Sequence, residues 1–207
     1  MYCRGCCVLF FKEAFRPRQV NNIYFDTPAF DSYYDHLNER NERKKFRLRW
    51  YDNLKLENNP SINFEIKNKI GDIGSKIVTK IPLIGENLIL NRKHKNKIFQ
   101  EFIAQQQKVN QVLIPKLNIV LYNRYQRNYF YSKIAPLRLT IDHQMTYGNI
   151  IEGKMIQSKF LKNDFLIMEL KYNTNVDIID EIDFPYYPTR FSKYIHCLSH
   201  LLPHLKI

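Results

Sequence analysis

The sequence predicts an α+β fold, an antiparallel β-barrel with flanking helices. Three observations predict it. Several segments alternate apolar and charged residues at the period of two that a strand imposes. Their charged faces are dominated by cations: in "KKFRLRWY" (Lys44 to Tyr51), Lys45, Arg47 and Arg49 oppose Phe46, Leu48 and Trp50. Helical stretches lie between these strands and can cover their apolar faces. With the apolar faces packed outward, the charged faces line the inside of a closed or strongly curved sheet.

Each element has its own signal. "VNNIYFDT" (Val20 to Thr27) reads as a strand that ends in a turn at Pro28. Phe30 to Arg40 has helical spacing, with Phe30, Tyr33, Tyr34 and Leu37 on one face. The cationic strand follows. Ile62–Ile70 and Ser75–Leu83 read as a hairpin around a glycine turn. In its first arm Glu65, Lys67 and Lys69 oppose Phe64, Ile66 and Ile70; in its second, Lys76 and Lys80 oppose Ile77 and Ile81. Leu88 to Lys108 is mainly helical, with a basic run, "NRKHKNK", near its start. Leu117–Ser132 and Leu137–Gly148 are two more strands, the second placing Arg138 and Asp142 opposite Leu137, Leu139 and Ile141. In "FLIMELKYN" (Phe165 to Asn173), Glu169 and Lys171 oppose Met168 and Leu170. An acidic helix or turn, "VDIIDEIDF", follows, and Arg190–Leu202 closes as a helix ahead of Pro203.

A length of 207 residues suits one domain. The formal net charge of +12 implies an anionic partner: nucleic acid, a polyphosphate or phosphorylated metabolite, or an acidic membrane surface. Tyr and Phe are plentiful, which suits stacking on single strands. In the cationic strand, however, Phe46 and Trp50 lie opposite the cations, which weighs against a nucleic-acid surface. Cys3, Cys6, Cys7 and Cys197 make no disulfide framework, and a reduced cytosolic setting fits best. "CCVLFF" is too short for a membrane span and lacks the flanks of a signal peptide. His196, His200 and His204 follow at helical spacing beside Cys197. Pro203 interrupts them and no second ligand pair is near, so metal binding is not expected there.

A barrel lined by Lys and Arg calls for an anion, because buried like charges repel and lose their hydration unless paired. A slender, multiply charged ligand such as linear polyphosphate fits. Glu65 and Glu169, the acidic residues on those faces, suit a divalent metal shared with phosphate oxygens. For Glu169, the residues alone favour an ion pair with a neighbouring Lys or Arg.

The ordered run "VNNIYFDTPAFDSYYDHL…RLRWY…FEIKNK…TKIPL…YNRYQR…LRLTIDH…MELKYN…RFSKY" resembles the VTC domain. This is the polyphosphate polymerase domain of the vacuolar transporter chaperone, one of the CYTH-like triphosphate tunnel metalloenzymes. The resemblance runs from Val20 to Leu202 and divides the chain into an atypical segment, 1–19, and a VTC-like domain, 20–207. It implies an antiparallel tunnel that transfers the terminal phosphate of ATP to growing inorganic polyphosphate with Mn or Mg. By position it implies phosphate binding by Arg47, Arg49, Lys67, Lys80, Arg124 and Ser192, metal binding by Glu169, and catalytic roles for Lys193 and Arg138. ATP and polyphosphate are the implied partners, with membrane-bound partner subunits and no specific nucleic acid. The implied location is the cytoplasm, at the cytosolic face of a membrane. The family's opening strand carries a lysine in an "E-x-K-Y" pattern. "MYCRGCCVLFFKEAF" does not match it and Lys12 is a poor substitute, so one tunnel wall is expected to be missing. A non-catalytic polyphosphate-binding module and a triphosphate hydrolase of the same superfamily are the alternatives.

Overall fold

The structure, a computed structural model, describes residues 11–52, 62–81, 103–105, 108, 114–133, 136–148, 150, 151, 154, 155, 161–163, 165–172, 187 and 189–203. Its main strands are β1 (Phe11–Asp26), β2 (Glu42–Tyr51), β3 (Ile62–Ile70), β4 (Ile73–Ile81), β5 (Asn118–Ser132) and β6 (Arg138–Gly148). Short strands β7 (Ile150–Ile151), β8 (Lys154–Met155) and β9 (Leu161–Asn163) precede β10 (Ile167–Lys171). Helix α1 (Asp31–Leu37) follows β1, and helix α2 (Lys193–Leu201) follows β10. Every described pairing in the main sheet is antiparallel, in the order β10-β6-β5-β1-β2-β3-β4.

The sheet curls into a half-barrel. Lys67 on β3 is coupled electrostatically to Glu169 and Lys171 on β10, although four strands separate β3 from β10 in the sheet order. In a flat sheet those strands would lie about 24 Å apart. Closure into a full barrel is not seen: among the described residues, β4 and β10 end the path unpaired with each other.

Cross-strand partners put their side chains on the same face, so the register defines an inner and an outer face. Tyr24, Arg47, Glu65 and Val78 stand in one such row across β1 to β4. On the outer face, Ile23, Phe25, Phe46, Leu48, Trp50, Phe64 and Ile66 form a buried core with Ile103, Ile114 and Leu117. This is the expected outward packing of the apolar strand faces. Of the helix expected over 88–108, residues 103–105 and 108 are helical; the rest, with the basic run 91–97, lies outside the described residues. So do the acidic segment after β10, "CRGCC" and His204.

The inner face differs from expectation in one respect, because it is charged over only part of its area. Its other part is apolar: Val20, Tyr24, Leu121, Tyr125, Met145 and Tyr147 pack against Tyr194, Ile195, Cys197 and Leu198 of α2. Those four positions lie on one side of a 3.6-period helix, and the contact excludes water from them. The helix is therefore a plug in one end of the curled sheet.

Asp26 fastens both helices to β1. Its carboxylate accepts from the backbone N–H groups of Thr27 (2.8 Å), Ser32 (2.9 Å) and Tyr33 (3.1 Å), satisfying the start of α1, and from the Tyr194 hydroxyl. The strand expected from Val20 starts at Phe11. Register shifts around Phe15 break the alternation that would announce its first half. The glycine turn of the hairpin holds, with Gly71 at φ 56°, a conformation glycine adopts without strain.

Candidate functional site

Three clusters converge on the uncovered part of the inner face. The first joins β2 and β3. Arg47 donates to Glu65 through Nε (2.7 Å) and Nη2 (2.5 Å), and Lys76 on β4 lies 3.5 Å from the same carboxylate. Arg49 is fixed by Asn22 (2.9 Å) and the Tyr125 hydroxyl (3.2 Å), with its Nη1 3.9 Å from Glu65. Glu65 is buried, yet Arg47, Arg49 and Lys76 outweigh that desolvation and hold its carboxyl below the usual range. It is therefore an ion-pair partner of three cations.

The second cluster joins β5, β6 and α2. Arg127 grips the buried Asp142 bidentately (2.5 and 2.7 Å), and Lys193 Nζ reaches the same carboxylate at 2.6 Å. Lys193 also stands 4.9 Å above the Tyr125 ring. Burial pushes the Tyr125 hydroxyl up, but Arg49, Arg127 and Lys193 outweigh it and lower its value. A bulge in β6 makes this geometry. Gln144, at φ 52°, is the extra residue, so Asp142 and Met145 both face inward across it.

The third cluster surrounds Glu169, which is half-exposed on β10. Burial disfavours its charge, but Lys171 (3.5 Å), Arg127 (3.9 Å), Lys193 and Lys67 keep it ionised below the usual carboxylate range. Among the described residues no three His, Cys, Asp or Glu side chains converge as a metal site. Mg²⁺ is commonly held by one or two carboxylates plus substrate phosphates, and Glu169 fits that pattern as a lone carboxylate facing the groove. Asp142 is saturated by Arg127 and Lys193. His200 Nδ1 bonds the His196 carbonyl at 2.7 Å, and burial pushes the Cys197 thiol up to about 12.

Of the expected residues, Arg47, Arg49, Lys67, Lys80, Arg138, Glu169, Ser192 and Lys193 stand on the inner face or at its α2 edge. They are not all in one place. Lys80 is exposed on the edge strand β4. Arg138 lies four residues from Asp142, roughly 13 Å along β6, so it is not beside Lys193. Arg124 requires correction. It pairs with Asn21 and Thr146, and its Nε donates to Thr146 Oγ1 at 3.0 Å on the outer face. Arg127, three residues on, has the inward position. Sequence reasoning also gave no role to Lys45, Tyr125 or Asp142, although Lys45 and Asp142 already stood on charged strand faces.

Lys45 Nζ donates to Ser192 Oγ at 2.9 Å and meets His36 Nδ1 at 3.2 Å. Desolvation, then Lys67, Arg43, Arg47 and Lys69, lower its pKa to about 7. His36 falls to about 4 by desolvation and Lys45, so its ring is neutral near neutral pH and Nδ1 can accept. Near pH 8 the free amine is largely neutral, and a bound polyanion will favour the ammonium. Anion binding is therefore expected to take up a proton near pH 8, and not near pH 6 or in Lys45→Met. Calorimetry in buffers of different ionisation enthalpy reads this directly. The same shift makes stability rise between the folded value of about 7 and the unfolded value near 10.5, because there only the unfolded chain keeps the proton.

A family model described as the VTC domain matches residues 7–202. No curated protein matches the chain. Among solved structures, the PH1819 protein from Pyrococcus horikoshii OT3 is similar at 12% identity, with 96% of this chain and 80% of that chain covered and a TM-score of 0.36.

Proposed function

The chain belongs to the VTC domain family, and from that premise we propose that it transfers the terminal phosphate of ATP to inorganic polyphosphate held on its inner face. The observation that supports this most is the excess of inward cations over carboxylates. Lys45, Arg47, Arg49, Lys67, Arg127 and Lys193 converge with Glu65, Asp142 and Glu169. An anion is needed to balance them.

Phosphoryl transfer asks mainly for positioning and charge neutralisation. The attacking group is a terminal oxygen of polyphosphate, already anionic, so no general base is required. The new bond forms between that oxygen and the γ-phosphorus; the bond from the γ-phosphorus to the β-bridging oxygen breaks, and ADP leaves with the electron pair. Arg47 and Arg49 hold phosphate oxygens by planar N–H pairs, which suits them better than lysine would. Lys193, on the first turn of α2, presents a point charge beside the Asp142 carboxylate. Ser192 and Lys45 add donors at the same end. Glu169 would hold Mn or Mg together with phosphate oxygens, and the ion would neutralise part of their charge.

This reading places the chain where ATP is, in the cytoplasm, with membrane attachment through partner subunits. No helix among the described residues is long and apolar enough to cross a bilayer. The test is incubation with ATP and Mn²⁺ and electrophoresis of the products. A phosphate ladder is expected; release of free phosphate alone would favour the hydrolase, and binding without turnover the accessory module. Glu169→Gln is expected to abolish the ladder while metal-free polyphosphate binding stays equal or tightens, because a negative charge leaves an anion site. Unchanged turnover in that variant would reduce Glu169 to an ion-pair partner.

A further inference from the structure

Helix α2 plugs one end of the inner face. At the uncovered end, Arg18 on β1 is the cross-strand neighbour of Arg127. Its guanidinium carbon lies 4.8 Å from the Tyr51 ring centre, 4.8 Å from that of Tyr129 and 5.8 Å from that of Phe15. Ring faces on both sides fix a planar cation at little cost in hydration. Its Nε is buried without a hydrogen-bond partner. The side chain also bonds the Tyr129 hydroxyl. Among the described residues no carboxylate lies within 4.0 Å of it. Asp52, near the same edge, is taken by Arg16 at 3.9 Å, while Asp142 and Glu169 are engaged by Arg127, Lys193 and Lys171. Among the described residues Arg18 is thus a held cation without a carboxylate partner, beyond the end that α2 plugs.

We propose that Arg18, clamped by Tyr51 and Tyr129, is an anion subsite for an internal phosphate of a polyphosphate chain leaving the inner face. The inference rests on the function proposed above and adds a residue that discriminates by chain length. Val20, two residues beyond Arg18, pairs with Tyr125, over which Lys193 stands, and Tyr24 pairs with Arg47. Six residues from 18 to 24 cover roughly 20 Å of strand. A triphosphate seated at Arg47 does not reach Arg18; a longer chain does. A phosphoryl oxyanion is the shared chemistry, and chain length separates its two sources, the triphosphate of ATP and the growing polymer.

The experiment compares binding of tripolyphosphate and of long-chain polyphosphate to wild type, Arg18→Gln and Arg18→Lys. Arg18→Gln is expected to weaken the long chain about tenfold, as for one lost charge-assisted hydrogen bond, and tripolyphosphate by less than about twofold. Arg18→Lys keeps the charge but loses the planar fork and should fall between; it also serves if the glutamine variant folds poorly. In the polymerisation assay both variants should make shorter products. Equal losses for both ligands, or none for either, would overturn the subsite while leaving the parent function standing. Wild-type protein that binds neither ligand would overturn both.

Discussion

Lys193→Ala is expected to lower polyphosphate synthesis by a factor on the order of 10² to 10³, the usual effect of removing one preorganised donor from a developing charge. Tripolyphosphate binding should largely survive, since Arg47, Arg49 and Lys67 remain. The fold should survive too, because the buried Asp142 keeps its bidentate bond to Arg127. Single-turnover rates with ATP and Mn²⁺, beside a melting curve, separate these effects. If the variant melts normally and keeps near-normal turnover, Lys193 is only a structural partner of Asp142 and the phosphoryl-transfer site must be sought elsewhere.

Glu65→Gln should act oppositely on stability and binding. Its carboxylate lies between Arg47, Arg49 and Lys76, and the side chains of Glu65 and Arg49 are 5% and 8% exposed. Removing one partner of such a buried set commonly costs about 3–5 kcal/mol, because the remaining charges are left uncompensated. The cations it releases are those proposed to hold phosphate. The melting temperature should therefore fall sharply without ligand and recover with tripolyphosphate, whose affinity should rise above wild type. A melt insensitive to the substitution would mean that solvent already screens the pair.

Much of the sheet was legible because period two is a direct statement about faces. Arg47, Arg49, Glu65, Lys67 and Glu169 all face inward as their spacing requires. Arg124 and Arg127 show where that reading stops. They lie three apart in "YNRYQR" and so on opposite faces; only pairing with β1 and β6 says which arginine looks inward. The bulge at Gln144 has no glycine to announce it, and the first half of β1 is masked by its register shifts. The amphipathic pattern of α2 shows that it packs, without showing that it packs inside the sheet. The contact of Lys193 with Asp142 was beyond reach for the same reason.

The hydrogen bond from Tyr194 to Asp26 bridges 168 positions of the chain. Loop closure over such a span is costly in entropy, which orders assembly: β1 to β4 have near neighbours and can pair first, and α2 docks late. Since α2 holds to the sheet by side chains and by no backbone ladder, it is also the part of the site able to detach while the strands stay paired. Amide exchange would then show the α2 protons protected well below the level of β1 and β5. A nascent or stalled chain would carry a cationic trough with affinity for polyanions and no Lys193 to act on them.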